Sequence, residues 1–579
     1  MSRPIGIGQQ DFEFIRTNDT FYVDKTSFIS EWWGNFDSVT LITRPRRFGK
    51  TLTMSMVEEF FSVKYADRAD LFEGLAVWQD ETLRTLQGSY PVISLSFANI
   101  KESDYETTRD KMNQLLIDLY IKNNYLLESG ILTKEDICYF NSVTVGMPDV
   151  VATMAIHKMT EYLYRYYGKK VLILLDEYDT PMQEAYVNNY WEDLVLFIRS
   201  LFNSTFKTNP YMERAIMTGI TRVSKESVFS DLNNLVVVTT TSELYADSFG
   251  FTEREVFSAL DEYGLSDRKQ EVKRWYDGFT FGNKRDIYNP WSILNFLKTG
   301  KLDTYWANTS SNSLAGSLIR TGGNEIKIRM EDLMNEHAIT TIIDEQIIYS
   351  QLDESDNAIW SLLLACGYLK IQDYHIVDDE NMFDWGENAQ EGDWVYELSL
   401  TNLEVKIMFR NMIRGWFQKP NVNYNSFIKA LLSADVEAMN VYMNQVALST
   451  FSFFDSGTQP SEVSEPERFY HGFVLGLIAE LSGRYIITSN RESGLGRYDV
   501  LLEPKRPVDD AIIMEFKVYN PKNEQSLEDT VQSALIQIET MKYAVALTAK
   551  GISKERIHYY GFAFEGKRVL IGATDCMLR

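Results

Sequence analysis

The sequence predicts an α/β protein of several domains, and three observations support this prediction. The chain has 579 residues, and a length of about 150 residues per domain suggests roughly three or four domains. Its content of hydrophobic residues is 45%, with 13% aromatics, which is typical of a globular protein. In the first part of the chain, apolar runs with the pattern of β-strands alternate with segments of helical spacing. This alternation indicates a mainly parallel sheet.

Composition excludes several other classes of protein. No apolar run is long enough to predict a membrane-spanning helix, and the first residues lack the pattern of a signal peptide. The three cysteines, Cys138, Cys366 and Cys576, are far apart, and the five histidines form no metal-binding motif. We therefore expect a soluble, cytoplasmic protein with reduced cysteines and no zinc site. The formal net charge of −25 argues against a protein that coats nucleic acid through its phosphates, but not against an enzyme with a local basic groove.

Changes in pattern along the chain predict four segments. The alternating α/β pattern fills residues 1–241, and short helices with aromatic-rich turns follow in 242–320. Residues 321–448 form a small middle module, in which the acidic, turn-rich stretch 372–394 is expected to be a hairpin or a loop. The last segment, 449–579, begins with a stretch rich in Ser, Pro and Glu that is the best candidate for a linker or an ordered loop, and then shows a compact α/β pattern.

A candidate phosphate-binding loop lies in the segment VTLITRPRRFGKTLTM. Gly49, Lys50 and Thr51 stand between a predicted strand and an amphipathic helix, the context that a P-loop requires. N–H groups at the helix start would face phosphates, the lysine would reach the β- and γ-phosphates, and the threonine hydroxyl would ligate Mg²⁺. The loop is also more basic than usual, because it carries Arg44, Arg46 and Arg47, and we expect these three arginines to contact the phosphates of the nucleotide. The first of these arginines stands where the P-loop pattern has its first glycine.

Two further apolar runs supply the other half of such a site. In KVLILLDEYD the apolar residues Val171–Leu175 are followed by Asp176 and Glu177. In a P-loop ATPase the first acid holds Mg²⁺ and the second orients the attacking water. A third run, AIMTGITR, ends in Thr218, Thr221 and Arg222, where a polar sensor of the γ-phosphate would lie. Together these features predict binding of ATP with Mg²⁺. The alternative is that GKT merely begins a helix and that the two acids merely end a strand.

A second constellation lies in the stretch RYDVLLEPKRPVDDAIIMEFK, which predicts two strands joined by a turn. Side chains two positions apart in a strand share a face, so Glu515 and Lys517 point the same way. If the strands pair, Asp499 approaches Glu515 across the ladder. Two adjacent carboxylates repel each other unless a cation lies between them, so a divalent ion such as Mg²⁺ fits. The lysine could act on a water molecule or stabilise charge on a phosphate.

The elements around this constellation suggest its chemistry. A predicted helix follows, LEDTVQSALIQIETMKY, with Gln537 on or near the edge of its apolar side. A helix, a strand with Asp, a strand with Glu-x-Lys, another helix and further strands form the layout of a PD-(D/E)xK nuclease core. The alternative is a buried Glu515–Lys517 ion pair in an ordinary sheet, with Asp499 capping a turn.

The chain as a whole resembles a bacterial family that joins an N-terminal AAA-ATPase-like domain to a C-terminal PD-(D/E)xK nuclease-like domain. The resemblance covers nearly the full length and depends on the motifs YVDKT (22–26), RPRRFGKT (44–51), LLDEYDTP (174–181), TGITRVSKESVFSDLNNL (218–235), YDGFTFG (276–282), YNPWSILNFL (288–297), YHGFVLGL (470–477), SNRESGLGRYDVLLEP (489–504) and EFK (515–517). Loss of the first P-loop glycine is usual in this family. One departure lies at 401–405, where a Pro-Asn-x-Glu-Val-like turn is expected.

The resemblance implies a fold and two sites. The fold would be an AAA-like P-loop parallel sheet with a helical lid, a small middle module and a nuclease-like α/β core. The resemblance implies ATP binding by Gly49, Lys50, Thr51 and Asp176. It implies nuclease-type catalysis by Asp499, Glu515 and Lys517.

The predicted function is therefore that of an ATP-binding and ATP-hydrolysing protein with a metal-dependent DNA nuclease domain. Its cofactors would be ATP and Mg²⁺. Its partner would be nucleic acid, with DNA as the first candidate, and we expect no binding to a membrane. A homo-oligomer is one of the possible assemblies, because such ATPases often take an arginine from a neighbouring subunit. The alternative is a nucleotide-controlled switch or scaffold that binds nucleic acid or a partner without cutting. A basic rim around the nuclease-like site would favour cleavage; its candidates are Arg491, Arg497, Lys505, Arg506, Lys517 and Lys522.

Overall fold

The computed structural model describes residues 2–221, 229, 232–307, 313–321, 324–344, 356–377, 393–417, 425–450, 474, 477–478, 481, 483–493, 496–521, 523–540, 544–565 and 568–574. The chain divides into two compact units. The first comprises Met1–Leu318 with Ala338–Lys406, and the second comprises Ile319–His337 with Ile407–Arg579. From residue 451 onward the predicted linker lies outside the described residues, as does most of the helix predicted before the strand that carries Asp499.

The first unit is built around a five-stranded sheet. Its strands are β1 (Val39–Thr43), β2 (Val92–Ser96), β3 (Val171–Asp176), β4 (Met212–Gly219) and β5 (Leu235–Val238). They are parallel throughout and lie in the order β2-β3-β4-β1-β5. Every residue of β1 and β3 is buried, as expected for a parallel sheet covered on both faces. The alternation of strands and helices thus predicts this sheet correctly.

The helices precede the strands or lie between them in the sequence. In chain order they are α1 (Phe12–Thr17), α2 (Ser27–Asn35), α3 (Lys50–Phe61), α4 (Glu81–Arg84), α5 (Tyr105–Lys122), α6 (Lys134–Ser142), α7 (Asp149–Tyr167), α8 (Thr180–Val187), α9 (Trp191–Phe206), α10 (Glu253–Glu262), α11 (Lys269–Tyr276), α12 (Pro290–Thr299), α13 (Ser313–Thr321), α14 (Asn324–Met334), α15 (Asp356–Ala365), α16 (Leu403–Phe417), α17 (Asn425–Leu432), α18 (Val436–Thr450), α19 (Leu527–Thr540) and α20 (Val545–Ala549). Within the part of the chain that is described, none of them combines the length and the apolarity needed to cross a membrane.

Two small antiparallel sheets complete the first unit. One has the order β6-β8-β7, and the other has the order β10-β11-β9. Their strands are β6 (Phe251–Thr252), β7 (Phe279–Phe281), β8 (Lys284–Tyr288), β9 (Ile339–Ile342), β10 (Leu369–Ile376) and β11 (Trp394–Leu400). The two ends of the acidic stretch 372–394 lie in the paired strands β10 and β11, while residues 378–392 are outside the described part.

The second unit contains a five-stranded mixed sheet in the order β12-β13-β14-β15-β16. Its strands are β12 (Tyr485–Ser493), β13 (Gly496–Pro504), β14 (Ala511–Val518), β15 (Ile557–Glu565) and β16 (Arg568–Ala573). Only the pairing of β14 with β15 is parallel among these strands. Alternate residues of β14 face two different cores: Met514 and Phe516 pack with residues of α17 and α18, whereas Ile513 packs with Val531 and Leu535 of α19. Glu515 and Lys517 share the α19 side, because side chains alternate along a strand.

Candidate functional site

The loop from Arg44 to Gly49 connects β1 to α3 in the first unit. Gly49 has a φ of +84°, a left-handed conformation that glycine adopts without steric cost, and α3 begins at the next residue. Gly49, Lys50 and Thr51 line a cavity of about 400 Å³, a volume within the usual range for small-molecule sites. The helix start thus turns its N–H groups towards a cavity that can hold a phosphate.

The predicted phosphate-binding lysine is buried within this loop. Its Nζ donates hydrogen bonds to the carbonyl oxygens of Arg44, at 2.8 Å, and Pro45, at 3.0 Å. Burial lowers the pKa of Lys50, and the nearby carboxylates of Glu177 and Asp176 oppose that shift. The ammonium group is therefore held at the cavity wall by the loop itself.

Asp176 ends β3, and hydroxyl groups from two other segments bond to its carboxylate. Thr51 Oγ1 donates to Asp176 Oδ2 at 2.7 Å, and Thr218 Oγ1, from β4, donates to Asp176 Oδ1. Residues from three predicted segments thus meet at one point. A threonine hydroxyl beside a carboxylate offers the hard oxygen ligands that Mg²⁺ takes together with phosphate oxygens, so these residues fit a bound Mg²⁺–nucleotide.

Glu177 lies next to this cluster in a strained conformation. Its φ is +51°, which is unfavourable for a residue other than glycine and tends to occur at functional sites. Its N–H donates to Thr218 Oγ1 at 3.3 Å, and Thr180 Oγ1 donates to its carboxylate at 3.1 Å. Because Glu177 also lines the cavity, its carboxylate lies close to any ligand that the cavity holds.

The three loop arginines have different surroundings. Arg44 is fully buried and is not part of the cavity wall. It donates to the carbonyl oxygens of Thr43, at 2.9 Å, and Thr239, at 2.6 Å, and burial lowers its pKa to about 9. Arg44 therefore ties the end of β1 to the chain beyond β5, a different role from the predicted contact with phosphate.

Arg46 and Arg47 do line the cavity. Arg46 donates to Gln183 Oε1 at 3.3 Å, and the guanidinium of Arg47 lies 4.4 Å from the ring centre of Trp291. Both arginines can therefore face an anionic ligand. Arg222, the other arginine predicted for this site, lies outside the described residues.

The cavity also has lining residues that sequence reasoning missed. Lys101, an exposed lysine just beyond β2, lines it, as does the N-terminal stretch around Gly8 and Gln10. Lys25 of the YVDKT motif lies at the wall too, where its Nζ bonds both carboxylate oxygens of Glu255 at 2.8 Å. Lys101 could have been predicted near the cavity from its place after β2, because the carboxyl ends of all parallel strands meet at one edge of the sheet.

In the second unit, the pairing of β13 with β14 brings the two predicted acids together. Val500 pairs with Met514, so the antiparallel register continued by one residue sets Asp499 opposite Glu515. Asp499 Oδ2 accepts a hydrogen bond from the N–H of Phe516 at 2.8 Å, and Glu515 is only 2% exposed. Both carboxylates therefore lie on the side of the sheet that α19 covers.

Helix α19 completes this arrangement. Gln537 Nε2 donates to Glu515 Oε1, and Lys517 lies two residues beyond Glu515 on the same face. Gly561 of β15 pairs with Glu515, and a Cβ added to Gly561 would lie 2.8 Å from the carbonyl oxygen of Val531. The absence of a side chain at Gly561 thus lets α19 approach the sheet closely enough for Gln537 to reach Glu515.

The electrostatics of this site suit a divalent cation. Burial raises the pKa of Asp499 to about 6, although the N–H of Phe516 and the charge of Lys517 oppose the shift. A buried carboxylate that ionises reluctantly beside a second acid is stabilised by a cation between them, and carboxylate oxygens are the ligands that Mg²⁺ prefers. Asp499 and Glu515 therefore fit a bound Mg²⁺.

Two candidates for the basic rim that would favour cleavage lie away from the two acids. Lys505 and Arg506 are exposed in the turn between β13 and β14. Five residues of strand, about 17 Å at 3.4 Å per residue, separate Asp499 from the end of β13. This pair of basic residues therefore lies away from the two acids along the strands. Of the other candidates, Lys517 shares the acid face, and the side chains of Arg491, Arg497 and Lys522 lie outside the described part.

Comparisons with known proteins match two parts of the chain. Residues 4–229 match the family model described as a predicted AAA-ATPase, and residues 465–574 match the model of the PD-(D/E)XK nuclease superfamily. A relative in Azotobacter chroococcum mcd 1, named "Uncharacterized protein in vnfD 5'region", is 26% identical over 380 residues. That match covers 64% of this chain and 64% of the relative, so the chain spans less than two thirds of the relative's length. In their order along the chain the two matches agree with the architecture that the motifs predict, an AAA-ATPase-like domain followed by a PD-(D/E)XK nuclease-like domain.

Proposed function

We propose that this protein binds and hydrolyses ATP with Mg²⁺ in its first unit. In its second unit it would cleave the backbone of nucleic acid, with DNA as the first candidate substrate. The observation that supports the proposal most directly is the convergence of residues distant in sequence. Thr51 and Thr218 bond Asp176 in one unit, and Gln537 bonds Glu515 beside Asp499 in the other. We further propose that the protein acts in the cytoplasm.

In the ATP site, each residue would have a distinct role. Thr51 and Asp176 would hold Mg²⁺, which supplies positive charge to the phosphates when bound. Lys50 would donate to the β- and γ-phosphate oxygens from the loop that now holds it, and Arg46 would add positive charge at the cavity wall. Glu177 would accept the proton of the attacking water.

In the nuclease-like site, Asp499 and Glu515 would hold the divalent ion. A bound ion of this kind lowers the pKa of a water ligand and stabilises charge on a phosphate. Gln537 would fix the orientation of the Glu515 carboxylate. Lys517, on the same face, would donate to the attacked phosphate or to the water, and so would serve the chemical step without holding the ion.

A cleavage assay tests the nuclease half of the proposal. The full chain is incubated with single- and double-stranded DNA and RNA, with Mg²⁺ or Mn²⁺ and with or without ATP. Glu515→Gln should abolish cleavage, whereas Glu528→Gln, at an exposed acid in the first turn of α19, should cleave like the wild type. If the wild type cleaves none of these substrates, or if Glu515→Gln still cleaves, the proposed nuclease activity is wrong.

The alternative, a nucleotide-controlled switch or scaffold that binds without cutting, is favoured by two observations. The chain carries a net charge of −25, and Lys505 and Arg506 lie away from the two acids. A DNA-binding assay run beside the cleavage assay separates the two functions. Metal-dependent binding without any product would support the scaffold.

Turnover measured over a range of protein concentrations tests the ATPase half. Arg46 and Arg47 line the cavity of their own chain, so we expect hydrolysis without a required arginine from a second copy. Turnover per chain should then stay constant on dilution, with light scattering at each concentration to report the oligomeric state. Activity that disappears as an oligomer dissociates would show that a second copy is needed.

A further inference from the structure

A second set of hydrogen bonds joins the acidic end of β3 to the turn after β4. Asp179 Oδ2 accepts from the N–H groups of Ile220 and Thr221, both at 2.9 Å, and from Thr221 Oγ1 at 3.1 Å. The hydroxyl of Tyr178 donates to the carbonyl oxygen of Thr221 at 2.9 Å. The N–H of Tyr178 donates to the carbonyl oxygen of Thr218 at 3.0 Å. The LLDEYDTP motif therefore contains two more residues with defined contacts beyond the two acids of the ATP site.

This connection is buried and tightly packed. Asp179 is 4% exposed, and a buried carboxylate is tolerated only when hydrogen bonds satisfy it. A Cβ added to Gly219 would lie 2.7 Å from Tyr178 Cε1 and 2.8 Å from Asp179 Oδ1. The turn is thus in direct contact with both side chains, and no space remains for a methyl group between them.

The turn directly follows a residue of the ATP site. Thr218 precedes Gly219, and its hydroxyl donates to Asp176 and accepts from the N–H of Glu177. A shift of the turn would therefore move Thr218 and disturb its contact with Glu177, the residue proposed to act on the attacking water. A misplacement of about 1 Å in such a group can lower a rate about 100-fold.

We propose that Asp179, together with Tyr178, is a positioning residue for ATP hydrolysis. It fixes the turn 219–221 and so keeps Thr218 in place between Asp176 and Glu177. The inference rests on the proposed ATP hydrolysis. The hydrogen bonds of the Asp179 side chain go to the turn and not to the phosphate-binding loop, so its loss should impair the chemical step far more than nucleotide binding.

Two variants disturb this connection in different ways. Asp179→Asn keeps the shape of the side chain but removes the charge and part of the capacity to accept hydrogen bonds. Gly219→Ala keeps the acid and introduces a methyl group into the contact. Gly34→Ala, in α2, is a matched control, because a Cβ there has no atom within 4 Å. Thr221→Val removes the hydroxyl bond to Asp179 and keeps the two N–H bonds of the turn, so it should have a smaller effect.

The measurements are the dissociation constant for ATP–Mg²⁺ by calorimetry, kcat and KM for hydrolysis, and the melting temperature. We expect Asp179→Asn and Gly219→Ala to lower kcat about 10- to 100-fold while the dissociation constant changes less than about threefold. Gly34→Ala should match the wild type in all three. If one variant fails to fold, the other and Thr221→Val still decide the outcome.

Two results would overturn the inference while leaving the proposed ATPase intact. One is a wild-type kcat in both Asp179→Asn and Gly219→Ala. The other is a parallel loss of affinity, kcat and melting temperature, which would assign the contact to stability alone. A wild-type protein that binds ATP but never hydrolyses it would refute the proposed hydrolysis, and the inference with it.

Discussion

Replacing Gly561 by alanine tests how the nuclease-like site is assembled. Gly561 lies in β15, beside Glu515 and under α19. A Cβ at this position would lie 2.8 Å from the carbonyl oxygen of Val531 and 3.2 Å from both Ala534 Cβ and Leu535 Cγ. Favourable contacts between non-bonded atoms are about 3.5–4.0 Å long. The carbonyl oxygen is a backbone atom and cannot rotate away, so the helix itself must move by roughly 0.5–1 Å.

Two costs follow from that movement. Overpacking of this kind destabilises a protein by about 1–3 kcal/mol. The same helix carries Gln537, so its displacement should also break the bond to Glu515, and a hydrogen bond to a charged group contributes about 1.5–3 kcal/mol. Losing a group that orients a metal ligand lowers metal affinity or activity about 10- to 100-fold. We therefore expect Gly561→Ala to fold with a lower melting temperature and to cleave about 10- to 100-fold more slowly.

Cleavage rate and melting temperature are compared across a small set of variants. Gly483→Ala, in the same unit, places its Cβ where no atom lies within 4 Å and should match the wild type. Gln537→Ala should lose activity and, with the hydrogen bond to Glu515, about 1.5–3 kcal/mol of stability. The double variant Gly561→Ala/Gln537→Ala should cleave no more slowly than Gln537→Ala alone, because both changes remove one interaction. Wild-type cleavage by Gly561→Ala would refute the reasoning.

Three further predictions concern charge. Lys50→Ala should weaken ATP–Mg²⁺ binding about 30- to 150-fold in calorimetry, because it removes a charged hydrogen bond of about 2–3 kcal/mol; equal affinity would contradict the phosphate site. Glu515→Gln should abolish the rise in melting temperature that Mg²⁺ gives the wild type, without lowering the melting temperature of the metal-free protein. If Glu515 and Lys517 formed only a buried ion pair, the change would instead lower that melting temperature, because it would cost about 3–5 kcal/mol of stability. Burial and the neighbouring Asp286 raise the pKa of Asp277 to about 7. An aspartate in the unfolded chain ionises at about pH 4, so the contribution of Asp277 to stability falls as the pH rises from about 4 to about 7. Asp286→Asn should make the melting temperature fall less between pH 5 and pH 8, and an unchanged slope would exclude this pair as its source.

The parts of the fold that depend on local patterns could be predicted from the sequence. The run before Asp176 is continuous and apolar, as a buried parallel strand requires, and the structure confirms the parallel sheet. In β14 a period of two residues separates Met514 and Phe516 from Glu515 and Lys517, and this period is a property of any strand. A strand pattern also predicts which residues share a face before any partner is known.

The features that depend on packing between distant segments could not be predicted. Arg44 was expected at the phosphates because its loop is basic, yet its guanidinium packs against Phe281, 4.6 Å from the ring centre. No periodicity in the sequence predicts that the guanidinium of Arg44 donates a hydrogen bond to the carbonyl oxygen of Thr239. The requirement for glycine at Gly561 depends in the same way on the path of α19 and not on its own neighbours in sequence.

The charges in the nuclease-like site also bear on how an acidic chain could hold nucleic acid. When Asp499 and Glu515 are ionised beside the ammonium of Lys517, the group carries a net charge of −1, which repels a phosphate. One divalent ion between the acids changes that charge to +1 and removes the cost of ionising Asp499, whose pKa burial raises. Because Lys505 and Arg506 lie at the other end of the strands, they cannot replace this charge. The metal would then be a condition for holding the scissile phosphate as well as for cleaving it, and a net charge of −25 is compatible with a nuclease.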